Sequence, residues 1–224
     1  MKEFTDKSNI NWGNWLNTLQ WNYTERNYSL TNSLAFTKFN YGVTTQTEQK
    51  GSQGNSTETN EFKTGITDFT YKLNFDYFLN PDVTLNAGAE IIYHQFQPQL
   101  RSFKEEGNIE NLDTTVAAAI IDNLETNFFV EGNWTITPKI QLKAGIRATQ
   151  FHVFKKDFSK LYLQPRFSLA YAPSSKDRIS LAYDNLRQPL HLLSNSGGGL
   201  PVDLWVPATS IAPTEGMQHV SVGY

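Results

Sequence analysis

Residues 67–79 read Thr67-Asp68-Phe69-Thr70-Tyr71-Lys72-Leu73-Asn74-Phe75-Asp76-Tyr77-Phe78-Leu79. Phe69, Tyr71, Leu73, Phe75 and Tyr77 hold the odd positions, and Asp68, Thr70, Lys72, Asn74 and Asp76 the even ones. Successive residues of a strand point to opposite faces, so the segment predicts one apolar, aromatic face and one polar face. After Asn80-Pro81-Asp82 the alternation resumes, with Leu85, Ala87, Ala89, Ile91 and Tyr93 set against Thr84, Asn86, Glu90 and His94. Two such runs around a short turn predict a β-hairpin.

The same unit recurs along the chain. Leu124, Thr126, Phe128, Val130, Gly132, Trp134 and Ile136 alternate with polar partners up to a turn at Thr137-Pro138-Lys139, and Ile140, Leu142, Ala144, Ile146 and Ala148 return. A third copy places Leu163, Pro165, Phe167, Leu169 and Tyr171 before a turn, then Ile179, Leu181 and Tyr183. Pro165 cannot donate to a ladder and predicts an edge or bulge. An earlier, noisier hairpin runs through Trp15, Leu19, Trp21 and Tyr23, turns near residues 25–27, and continues over 33–43. Its parity slips between Phe36 and Phe39, which predicts a bulge. A last strand begins at Val220.

Short turns near residues 25, 81, 138 and 175 alternate with longer polar connections at 46–62, 95–121, 152–160 and 186–216. That is the pattern of an outer-membrane barrel with short periplasmic turns and long extracellular loops. Each short turn follows an apolar-face ring, Tyr23, Tyr77, Trp134 or Tyr171, as an interfacial girdle requires. Composition agrees. Hydrophobic residues are 39% and aromatics 13% of the 224 residues, with a net charge of −3, too apolar for disorder and too acidic for a nucleic-acid surface. The longest apolar run, 116–121, has six residues, far short of the roughly 20 a membrane helix needs. With no cysteine there is neither a disulfide nor a thiolate metal site, and Met1-Lys2-Glu3-Phe4-Thr5-Asp6 lacks the apolar core of a signal peptide, so an export signal is expected outside these residues. A soluble antiparallel sandwich, such as a carbohydrate-binding module, also has one wet and one dry face per strand. Its strands usually run about five or six residues, whereas these alternate for ten or more.

The expected fold is therefore all-β: an open-edged, antiparallel transmembrane barrel segment of about nine strands, forming one partial barrel domain over 1–224. An odd count leaves two options, since single-chain barrels normally close with an even number. Either a tenth strand lies within 5–14, giving a small complete barrel acting as a surface hydrolase or adhesin, or the strands belong to a larger barrel whose remaining sequence pairs both edges. The stretch Leu163-Gln164-Pro165-Arg166-Phe167-Ser168-Leu169-Ala170-Tyr171, followed by Leu190-His191-Leu192-Leu193-Ser194-Asn195 and Leu200-Pro201-Val202-Asp203-Leu204-Trp205-Val206-Pro207, resembles the barrel of TonB-dependent outer-membrane receptors, particularly those of Bacteroidota-like bacteria. The resemblance implies a 22-strand barrel around an N-terminal plug, energised uptake through an inner-membrane TonB complex, and a possible surface lipoprotein partner. It implies a transporter for a siderophore, vitamin, glycan or peptide rather than an enzyme, lodged in the lipid bilayer of a Gram-negative outer membrane. No plug, TonB-contacting segment or natural C-terminal strand is recognisable in these residues.

No cofactor, catalytic group or metal site is expected. His94, His152, His191 and His219 fall at the predicted extracellular end and could ligate a metal or haem, but they lack a tight ligand spacing. Asp68, Lys72, Asp76, Glu90, Glu125, Glu131, Lys143, Arg147 and Arg166 are assigned to the lumen, bonded to water or a plug. Turns at one end are too short to grip a solute, so recognition is expected in the 186–216 connection, through Arg187, His191, Asn195, Asp203 and Trp205. Gly197, Gly198 and Gly199 would give that connection mobility. Leu200, Leu204, Trp205 and Val206 form an apolar cluster expected to pack locally.

Overall fold

A computed structural model describes residues 3–51, 54–107, 111–155, 158–195 and 202–224. Among these, every regular element is a strand: β1 (Glu3–Thr24), β2 (Tyr28–Gly51), β3 (Gly54–Asn80), β4 (Val83–Gly107), β5 (Leu112–Ala117), β6 (Ile121–Thr137), β7 (Ile140–Val153), β8 (Phe158–Tyr171), β9 (Ile179–Gln188), β10 (Leu190–Asn195), β11 (Val202–Pro207) and β12 (Glu215–Gly223). One antiparallel sheet runs β1-β2-β3-β4-β6-β7-β8-β9-β12, with β5 added beside β4 and β10–β11 forming a separate hairpin. The nine-strand path has β1 and β12 as its edges, and among the described residues no pairing joins them. Residues 5–14 hold no separate tenth strand; they are the first half of β1, paired with β2 from Glu3↔Lys50 onward.

Directly opposed residues share a face, so the register sorts the chain into two sides. One side, here called outward, carries Tyr71, Leu73, Phe75, Ala87, Ala89, Leu142 and the other residues of the expected apolar face. Phe128 and Val130 at its middle are 58% and 52% exposed, with no second layer over them. The rings beside the short turns fall on this side in register, with Tyr23 opposite Leu30, Tyr28 opposite Tyr77, Val83 opposite Trp134 and Ile140 opposite Tyr171. From Phe69 to Tyr77 the outward band takes nine residues, or about 30 Å of strand at about 3.3 Å each. Tilted, that length matches an apolar band about 25 Å tall.

Above this band β1 to β4 continue, and their faces exchange character. The parity slip in β2 is no bulge: its ladders to β1 and β3 run without a register shift. Lys38, Asn40 and Gly42 simply follow Phe36 on the outward side, while Phe39, Tyr41 and Val43 follow Thr37 inward. Below the crossing the outward side meets hydrocarbon and the inward side a polar lumen. Above it the outward side meets water and the inward side takes the packing. The buried apolar residues Val43, Phe96, Phe151, Val153 and Phe158 are all inward. A bulge does occur further up, where Lys63↔Leu100 follows Gly65↔Gln97 and one extra residue sits on β4 beside Pro98, which has no N–H to give a ladder.

The long connections therefore contain strand. The 46–62 connection is the upper half of the β2–β3 hairpin, 95–121 holds the top of β4 and β5, and 186–216 holds β10 and β11. Pro165 keeps its place opposite Ile146, and the β8–β9 ladder stops at Arg166↔Asp184, one residue short of it.

Candidate functional site

The inward faces of β3 to β9 carry a continuous polar network at the height of the lipid band. Arg147 Nη2 donates to Glu90 Oε2 at 2.6 Å, and Lys72 Nζ stands 4.0 Å from Glu90 Oε1. Arg147 Nε donates to Asn127 Oδ1 at 3.2 Å, while the Asn127 amide donates to Glu125 at 2.8 Å. Thr149 donates to Asn127, Gln164 donates to Thr149, and Gln164 Oε1 accepts the backbone N–H of Arg187 at 3.0 Å. That last bond replaces a ladder contact just where the β8–β9 pairing ends. Nearer the turns, Glu131 lies 2.8 Å from Lys143 and 3.9 Å from Arg166. Most of the charges assigned to the lumen thus pair with one another across the wall, because alternate residues on neighbouring strands bring opposite signs within reach.

Higher up, His94 is buried, its Nδ1 2.8 Å from Asp68 and its Nε2 3.8 Å from Glu125, beyond hydrogen-bond length. Its neighbour across the ladder, Asn123, is fully buried with neither amide atom bonded to protein. The four histidines are not gathered. His152 faces outward against Phe154, His191 lies on β10 and His219 on β12 beside Asp184. Among the described residues no group of three or more His, Asp or Glu is placed to hold a metal ion.

The β10–β11 hairpin packs against the inward side of the upper wall. β11 packs against β3 and β4. Ala208, just after it, is buried with Phe151, Val153 and Phe158, and Leu190 and Tyr162 pack on this cluster. The apolar run around Trp205 thus folds across the wall to strands far along the sheet, as well as packing locally. Of the residues expected to recognise a ligand, Trp205 is half-buried on β11 opposite Leu192. His191 stands opposite Val206, its Nδ1 3.0 Å from Glu215 and its Nε2 buried without a partner. Arg187 lies on β9 with its guanidinium 5.7 Å from the centre of the Tyr162 ring. Asn195 and Asp203 sit at the end of the ladder away from Leu190 and Pro207, opposite Val202 and Ser194, and their side chains lie outside the described residues, as do Gly197, Gly198, Gly199 and Leu200. Sequence reading missed Tyr162, Gln164 and the His94–Asn123 pair; inward parity alone marked them, and parity does not say which inward residues meet.

A sheet with a lipid-sized apolar band outside, a polar network inside and a folded hairpin over its upper end is the wall of a membrane β-barrel. The family model for the TonB dependent receptor-like β-barrel matches residues 2–189, and the chain belongs to that family. Among solved structures, the RagAB peptide importer in the closed-closed state aligns over 99% of this chain with a TM-score of 0.60 at 9% identity. The RagAB peptide transporter aligns over 94% with a TM-score of 0.53 at 11% identity, and the open-open importer over 93% with 0.52 at 12%. At such identities the likeness is one of fold. The chain spans 28%, 27% and 26% of those three chains. No curated protein matches the chain.

Proposed function

We propose that this chain forms part of the wall of an outer-membrane nutrient receptor in a Gram-negative cell, and that its task is uptake of a bulky ligand rather than catalysis. The observation that carries the reading is the pairing of an outward apolar band with an inward network from Lys72 to Arg187 under a folded hairpin. A wall of this kind passes nothing by itself. The reading therefore includes further barrel strands on the β1 and β12 edges, a plug domain inside, an inner-membrane TonB complex acting through that plug, and a surface lipoprotein at the mouth. Open edges in hydrocarbon would leave backbone groups unpaired at several kcal/mol each, which is the physical reason for strands on both sides.

Recognition is assigned to the hairpin and the residues beneath it: Arg187, His191, Asn195, Asp203 and Trp205. A ring, an imidazole with an unpartnered nitrogen and a guanidinium suit a siderophore, vitamin, glycan or peptide, and the peptide importers of similar fold keep the last of these on the list. The test uses the complete receptor in its own outer membrane, with labelled ferric hydroxamate, cobalamin, maltooligosaccharide and a mixed casein peptide digest as probes. Uptake of one class, lost on deletion of the receptor and weakened about tenfold by Trp205→Ala or His191→Ala at equal surface expression, is the expected result. Uptake of all four that survives deletion would defeat the reading. Unchanged affinity in both variants would make the hairpin a structural cover and move recognition elsewhere.

A further inference from the structure

The outward face of β1 to β4 carries two depressions, one above the other. The lower, about 530 Å³, is lined by Leu19, Leu34, Phe36, Phe69, Ile91 and Tyr93 at the top of the apolar band. The upper, about 570 Å³, is lined by Asn9, Asn11, Asn40, Gln97 and the ion pair of Lys63 with Glu61, 2.7 Å apart, so its only charges are already matched to each other. The ladders align them strand by strand. The row Asn17, Phe36, Phe69, Tyr93 closes the lower depression, and the row Gly13, Asn40, Gly65, Gln97 opens the upper. One row separates them: Trp15, Lys38, Thr67 and Gln95. Lys38 is exposed and makes no ion pair or hydrogen bond among the described residues. The trough has free space beside its glycines, since a Cβ at Gly13 would meet nothing within 4 Å and one at Gly42 only ordinary contacts at 3.6 Å and beyond.

We propose that this face holds a phosphorylated glycolipid of the outer leaflet, with an acyl chain in the lower depression, a phosphate at Lys38 and sugars in the trough above. Each part of such a lipid meets its complement in the order it has along the membrane normal. Apolar walls suit a chain, an unpaired ammonium at the headgroup level suits phosphate as a point charge, and asparagine and glutamine amides offer the donors and acceptors that sugar hydroxyls need. A phospholipid would fill the first two parts and leave the trough empty. The apolar-to-polar order is the face exchange of β1 to β4 seen from outside, so the site follows from the strands rising past the bilayer.

The inference rests on the outer-membrane reading above, and the experiment separates the two. The complete receptor is purified in detergent, its folded state confirmed by heat-modifiable migration, and its binding of Kdo2-lipid A compared with that of phosphatidylglycerol by native mass spectrometry. Preference for Kdo2-lipid A, reduced about tenfold by Lys38→Glu and by Gly13→Phe, is expected, the first removing one charge-assisted contact and the second filling the trough. Phosphatidylglycerol binding should be little changed by Gly13→Phe. Equal binding of the two lipids by the native receptor, or Kdo2-lipid A binding unchanged in both variants, overturns the inference while leaving the receptor reading intact. A chain absent from the outer-membrane fraction of its host would defeat the receptor reading and, with it, this one.

Discussion

Glu90 shows what the inward network asks of a single side chain. It sits between Lys72 and Arg147 and also receives the Asn127 amide at 3.4 Å. Removing it leaves Arg147 half-buried with only the Asn127 oxygen to bond, so Glu90→Ala is expected to cost about 2 kcal/mol, the penalty of a charged group stripped of its partner. Glu90→Ala combined with Arg147→Ala should cost less than the sum of the two, a non-additivity readable in urea unfolding of the complete receptor in lipid vesicles. At the opposite end, outside the membrane, Ser174 donates to Asp177 at 2.5 Å and the Tyr224 hydroxyl donates to its other oxygen at 2.8 Å. These two bonds hold the Asp177 carboxyl below the ordinary aspartate range. A depressed folded value stabilises the turn at neutral pH, and the contribution disappears as pH falls through that value. Ser174→Ala should therefore move the Asp177 titration upward in carbon-detected NMR of the folded receptor. An unchanged titration would mean that the serine bond does not set it.

At the level of the element, the strand pairs around the short turns were legible because period-two alternation between lipid and lumen leaves a mark on every residue. Tyr71 and Lys72 cannot exchange faces without placing a charge in hydrocarbon. β2 shows where that legibility ended. An apolar residue that changes parity reads the same whether the strand has slipped by a bulge or its surroundings have changed sides, and between Phe36 and Phe39 the second is true. The inward pattern of Phe39, Tyr41 and Val43 made sense only once the strand was seen to rise beyond the bilayer. Long connections were opaque for a related reason. The β10–β11 hairpin pairs six residues on each side, from Leu190↔Pro207 to Asn195↔Val202, yet its Ser194 and Asn195 read as loop because its ladder has no lipid face to impose alternation. So Trp205 and His191 were nominated from composition, whereas the seat of Trp205's strand, β11, against β3 and β4 came from tertiary packing. The same packing makes a structural prediction. Leu190→Asp would put a charge beside Phe151, Val153 and Phe158, releasing the hairpin and raising protease cleavage within 190–207 while the sheet below stays protected.

Across the whole molecule, the exchange of faces fixes where the bilayer must lie, and this can be mapped by one substitution carried to different heights. Val130 on β6 and Thr67 on β3 both point outward, but Val130 lies mid-band and Thr67 one row above Phe69. An arginine in the mid-band must displace its charge from hydrocarbon, at about 2–4 kcal/mol, whereas one at the interface costs at most about 1 kcal/mol. Val130→Arg is therefore expected to lower stability strongly and Thr67→Arg hardly at all, although valine and threonine are nearly the same size and both stand on the same side of the sheet. A soluble sheet would rank the two differently, because Val130 is already 52% exposed and a charge there would meet only water. Equilibrium unfolding of the complete receptor in vesicles reads the difference directly. Equal, small effects at both positions would remove the bilayer from this face; a large effect at Thr67 would raise its upper boundary to the level of the Asn40 and Gly42 trough and leave no headgroup layer for Lys38 to face.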